Sequence, residues 1–203
     1  MAYSKFTLEL LSERFGLRYV QADTLFPGVA PVTPSPLLQE TLHNNLPVVL
    51  AFGSERSRSE LLVSPVLLEV RRQLGLQVSL FPGVKFDVDR SQGLDGFCDY
   101  LISASAIQFT VQAPVIALVE AKKGDLSSGL AQCLAEMVAA LRFNQHHDKT
   151  VETVYGAVTS GTDWKFLSLH ETTATIALKE YDISEIESLL GIFVRMLRKE
   201  STS

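Results

Sequence analysis

Glu120 and Lys122 stand where a strand should already have turned. Pro114 to Val119 is an apolar, β-branched run of the kind that makes a strand buried on both faces. The chain then continues through Glu120, Ala121 and Lys122. Side chains at i and i+2 of a strand share a face, so the carboxylate and the ammonium point to one side and Ala121 to the other. Such a pair at the inner end of a buried strand is costly to desolvate without partners. Alone, Glu-x-Lys reads as a salt bridge closing a strand, but it is not alone here. Asp99 interrupts the apolar stretch Gly96 to Ser103, and aspartate is a poor strand former. Two carboxylates on neighbouring strands can converge on one Mg²⁺, an ion that prefers oxygen ligands and keeps several waters; the Ala121 carbonyl is a third donor. Lys122 on the same face can orient or deprotonate a water, or stabilise a leaving charge. Phosphodiester hydrolysis needs such a set: a more acidic attacking water and a cation to bear charge developing on phosphate.

The elements that must position these groups follow from periodicity. Ser54 to Gln73 reads as a helix with Glu55 and Glu60 in its polar first turns, and Pro65 is expected to kink or split it. Leu76–Phe81 and Val84–Val88 alternate around a Pro82-Gly83 turn signal, and with Gly96–Ser103 and Val115–Lys122 they predict an antiparallel meander. Leu130 to Asn144 is a helix whose apolar face carries Leu130, Cys133, Leu134, Met137, Val138 and Leu141, with Gln132 and Glu136 one turn apart beside it. Strands at Thr153–Thr159 and Trp164–His170 enclose a hairpin, Thr173–Glu180 adds another strand, and Glu185–Arg198 is a final amphipathic helix capped by Ser184. Ahead of this core, Ser4–Phe15 reads as a short helix with Ser4 as a cap. Residues Ala22 to Pro36 form an extended connection, Leu37–Asn45 a short helix and Leu46–Phe52 a short buried segment.

Composition narrows the class. The 203 residues, 46% hydrophobic and 20% charged, suit one soluble globular domain (1–203) with an N-terminal extension over 1–53, a core over 54–170 and a closing strand and helix over 171–200. A net charge of −5 excludes a global basic signature, so a polyanion would be held by a local patch. The two cysteines, Cys98 and Cys133, fit neither a disulfide framework nor a zinc site and read as buried thiols of a reducing compartment. With no signal-peptide pattern and no run near the ~20 apolar residues of a membrane span, the expectation is a cytoplasmic protein without a membrane partner.

The order helix, three-strand meander, helix, strand, with Asp99 in the second meander strand and Glu120-x-Lys122 ending the third, resembles the PD-(D/E)XK nuclease superfamily. The resemblance covers roughly Glu55 to His170 and is similar in kind to the nuclease domains of type I restriction subunits. It implies an α/β fold with a restriction-endonuclease-like core and a Mg²⁺-dependent (or Mn²⁺-dependent) endonuclease acting on DNA. Asp99 and Glu120 would be metal ligands together with Ala121, and Lys122 the catalytic lysine. Glu60, or less readily Glu55, would be the acid of the first helix, and Gln132 the glutamine of the second. Where such domains often carry tyrosine four residues after that glutamine, this chain has Glu136; Cys98 replaces the usual proline before the aspartate. Cutting both strands is done most simply by a two-fold homodimer. A catalytically inactive module of the same fold, binding nucleic acid or protein, remains the competing reading, and an accessory subunit of a larger complex a third. Elsewhere, His146, His147 and Asp148 read as solvated surface and Trp164 with Phe166 as core rather than a base-stacking pair.

Overall fold

The computed structural model describes residues 3–149 and 151–198. The outermost residues of the expected domain, 1–2 and 199–203, lie outside them, as does residue 150. Seven strands form one mixed sheet: β1 (Arg18–Ala22), β2 (Ser79–Lys85), β3 (Phe97–Ser103), β4 (Val115–Ala121), β5 (Thr153–Thr159), β6 (Asp163–His170) and β7 (Thr173–Asp182), in the order β1-β7-β6-β5-β4-β3-β2. The expected meander is β2-β3-β4, antiparallel throughout. The pairing of β4 with β5 is parallel, which requires a long crossover; helix α5 (Ser127–His146) supplies it.

The remaining helices are α1 (Leu8–Phe15), α2 (Pro36–Ala51), α3 (Glu55–Arg58), α4 (Ser64–Gln73) and α6 (Ile186–Leu197). Apolar residues of α1 and α5 pack with Leu101, Leu118 and Val158 on one face of the sheet. Those of α4 and α6 pack with Tyr100, Val119, Trp164 and Phe166 on the other. Both faces of the sheet are covered, so its central strands are apolar on both sides. Trp164 and Phe166 are core, each edge-on to Phe193.

Several local expectations are corrected. Leu46–Phe52 is not a buried segment but the last turns of α2 and the residue after it, with Val49 buried and Phe52 exposed. Pro82-Gly83 is not a turn: β2 runs through it and Pro82 pairs with Tyr100. An edge strand has one unpaired side, so a residue without an N–H is tolerated there. The helix around Pro65 neither kinks apart nor stays regular. A π turn over Ser59–Val63 joins α3 to α4, and Asn45 Nδ2 donates to the Leu61 carbonyl at 2.8 Å, the acceptor a proline at 65 leaves without its usual donor. Thr7 rather than Ser4 caps α1, and Asp182 with Glu185 forms the capping box ahead of α6. Strand β1, parallel to β7, was not anticipated from sequence.

Candidate active site

Leu118 faces the α5 layer while Ala117 and Val119 face the other, so alternation sends Glu120 toward α5. On its β5 side this end of β4 is firmly held: Glu120 pairs with Val158, Ala121 with Thr159, and Lys122 N–H donates to the Thr159 carbonyl at 2.7 Å. On its β3 side the ladder ends at Tyr100 and Val119. Beyond it, Asp99 Oδ2 accepts the Ala121 N–H at 2.8 Å, a carboxylate doing the work of a ladder carbonyl. The strand's alternation slips at the same place, because Cys98 joins the α5-side core with Leu101 while Tyr100 lies on the opposite side. A local irregularity of this kind re-aims one side chain, here bringing Asp99 beside Glu120.

Lys122 Nζ donates to Glu120 Oε1 at 2.5 Å and to Gln132 Oε1 at 3.2 Å, and Gln132 Nε2 donates to Glu136 Oε1 at 3.2 Å. Gln132 and Glu136 are successive inward positions of α5, one turn apart. Gly129 lets this helix come close: a Cβ there would lie 2.6 Å from Val158 Cγ1 and 3.1 Å from Lys122 Cγ. The lysine stem therefore crosses the helix over a glycine, and its side chain retains 20% exposure.

The charges are held under tension. Glu120 and Glu136 are 1% and 0% exposed, and the second oxygen of each, Oε2, is buried without a hydrogen-bond partner. Burial, reinforced by the Asp99 charge and opposed by Lys122, pushes Glu120 up to about 7. Burial and then the Glu120 charge push Glu136 well above the usual carboxylate range. For Lys122, burial works to lower the pKa, but the hydrogen bond and charge of Glu120 outweigh it and raise it. The lysine is thus an ammonium at neutral pH. Burial also raises the Cys98 and Cys133 thiols, both of which are free and buried.

Asp99, Glu120, Ala121, Lys122 and Gln132 are therefore brought together. Glu60 is not: it is exposed and paired with Arg56 at 2.8 Å, one turn away on the same helical surface. The acid of this region whose charge reaches Lys122 is Glu55. Glu136 joins the site through Gln132, and its i+4 spacing from that residue is the signal the sequence carries for it. His146, His147 and Asp148 are exposed.

Among the described residues no group of three or more His, Cys, Asp and Glu side chains is arranged to hold a metal ion. A cation at this site would rest on two carboxylates completed by backbone and water oxygens, as suits Mg²⁺. The unpartnered Glu120 Oε2 fits that donor set. No helix among the described residues is long and apolar enough to cross a membrane. Neither a protein-family model nor a curated protein sequence gives a significant match to this chain.

Proposed function

We propose that this chain is a divalent-cation-dependent nuclease with a restriction-endonuclease-like core, hydrolysing phosphodiester bonds of DNA. The observation that carries the reading is Glu120. It is buried, bridged to Lys122 through one oxygen, faced by Asp99 and left with an unpartnered second oxygen. A salt bridge that only closed a strand would not need a second acid at its shoulder, nor an irregular β3 to place it.

Asp99, Glu120 and the Ala121 carbonyl would hold Mg²⁺ or Mn²⁺, whose contribution is Lewis-acid polarisation and a more acidic water. The raised pKa of Lys122 favours work as a cation: its ammonium steadies the attacking water or the charge developing on phosphate rather than removing a proton. Gln132 keeps the ammonium in place by accepting its second hydrogen bond. Cutting both strands would be done most simply by a two-fold homodimer.

The net charge of −5 favours a second reading, a non-catalytic module of the same fold. Mn²⁺ titration with a parallel cleavage assay separates the two. Cation binding that Glu120→Gln abolishes, together with Mn²⁺-dependent nicking of plasmid DNA, supports the nuclease. Absence of both leaves the module.

A further inference from the structure

Glu136 is the least expected residue in the site. A fully buried carboxyl group with one oxygen unpartnered is costly, and a methionine of similar volume would fill the same space without that cost. Among the described residues no three acids are arranged as a metal cluster. Glu136 contacts Gln132, whose amide joins it to the lysine, with Glu120 and Cys98 as its other polar neighbours.

Hydrogen-bond polarity gives that link a direction. A Gln amide offers an NH₂ at one end and an oxygen at the other. Glu136 Oε1 accepts, so it takes the NH₂ end, and the amide oxygen must then face Lys122. A flipped amide would set its NH₂ against the ammonium, donor against donor, and leave Lys122 with Glu120 alone. Gly129 clears the space through which the lysine stem passes, so the amine is confined between a carboxylate on its own strand and this amide on the helix.

We infer that Glu136 is a positioning residue that, by fixing the orientation of the Gln132 amide, holds the Lys122 ammonium in its working place. The inference rests on the nuclease reading of the same site. It assigns a role to the acid that stands where related domains often carry a tyrosine.

The test combines kinetics with a signal that does not depend on turnover. Glu136→Met and Gln132→Met each lower kcat about 10- to 100-fold, the usual cost of losing an outer supporting contact, with KM changed by less than about threefold. The double variant is no worse than Gln132→Met alone, because both remove one relay. Glu136→Gln, which keeps an acceptor oxygen, recovers most of the rate. In ¹H–¹⁵N spectra of the ammonium groups, the Lys122 signal is protected in the parent protein and in Glu136→Gln, and is lost in Glu136→Met. Unchanged kcat and an unchanged Lys122 signal in Glu136→Met would overturn the inference, as would additive losses in the double variant. If the parent protein cuts no DNA with Mg²⁺ or Mn²⁺, the nuclease reading fails. The relay is then decided by the ammonium signal alone: its loss in Glu136→Met supports the relay, its persistence refutes it.

Discussion

Glu69 and Glu136 are buried to the same degree on helices covering opposite faces of one sheet, and their surroundings could hardly differ more. Glu69 accepts from Ser35 N–H at 3.1 Å, Ser35 Oγ at 2.9 Å, Gln73 Nε2 at 2.8 Å and the Arg72 guanidinium. These donors match the lone-pair sites of an ionised carboxylate. Burial alone would raise its pKa, but the bonds from Gln73 and Ser35 and the Arg72 charge bring it below the usual value. Glu136 has Gln132 and an unpartnered oxygen, with Glu120 in the same condition close by. A carboxylate with every lone pair answered ties elements together, here the start of α2 to α4. A group of acids left short of donors is what the proposed cation would answer.

The largest effect that would sharpen this contrast is at the lysine. Lys122→Ala should lower kcat about 10²- to 10⁴-fold, with a moderate fall in melting temperature because the buried Glu120 loses its partner and must take a proton; a variant that cuts DNA at the parent rate breaks the functional half of the comparison. Glu69→Leu should do the reverse. It costs about 2–4 kcal/mol in urea unfolding, because Ser35, Gln73 and Arg72 lose their acceptor together, and kcat stays at the parent value once the variant is folded.

The pH dependences should oppose each other. For Glu69 the folded pKa is lowered, so its contribution is present above the ordinary 4.5 and is lost as pH falls through the folded value. For Glu120 the folded pKa is raised to about 7, so stability from this group is whole below 4.5 and is lost as pH rises through about 7. That window is worth up to roughly 3 kcal/mol. Urea midpoints from pH 3 to pH 8 should therefore fall at both ends, with Glu120→Gln making the upper limb shallower while the raised Glu136 keeps part of it; an upper limb of unchanged slope would show that Glu120 contributes nothing to it.

Gly129→Ala should cost about 1–3 kcal/mol by overpacking against Val158. It should also reduce kcat at least tenfold by displacing the Lys122 stem, with cleavage and thermal melts read on the same sample. The smallest effect is expected at Glu60→Ala, which should alter neither melting temperature nor cleavage measurably, since its partner Arg56 is exposed. A clear loss of cleavage there would mean that the first helix moves to bring Glu60 inward.

Much of the site could be read because its parts are close in sequence. Glu120 and Lys122 share a face by strand alternation, and Gln132 and Glu136 lie together by the helical repeat. Asp99 stood out as a charged residue in an apolar strand, but its in-plane contact with Ala121 N–H depends on where the β3–β4 ladder ends, which no local pattern encodes. Glu60 illustrates the opposite limit. Its helix is evident from sequence, yet which of its two acids has a charge felt at Lys122 depends on the rotation of that helix and on the π turn ahead of Pro65.

The amino-acid order alone determined the helices and most strands, the meander, the buried thiols and the shared side of Glu120 and Lys122. These rest on interactions between neighbours a few positions apart, with periods of two and of about 3.6 residues. Only the tertiary structure decided that β1 adds to the sheet beside β7, that Pro82-Gly83 continues a strand rather than turning, and that Glu136 closes the chain of hydrogen bonds to Lys122. Each of those depends on contacts between distant segments, where burial and the need to pair every polar group override what a short stretch prefers.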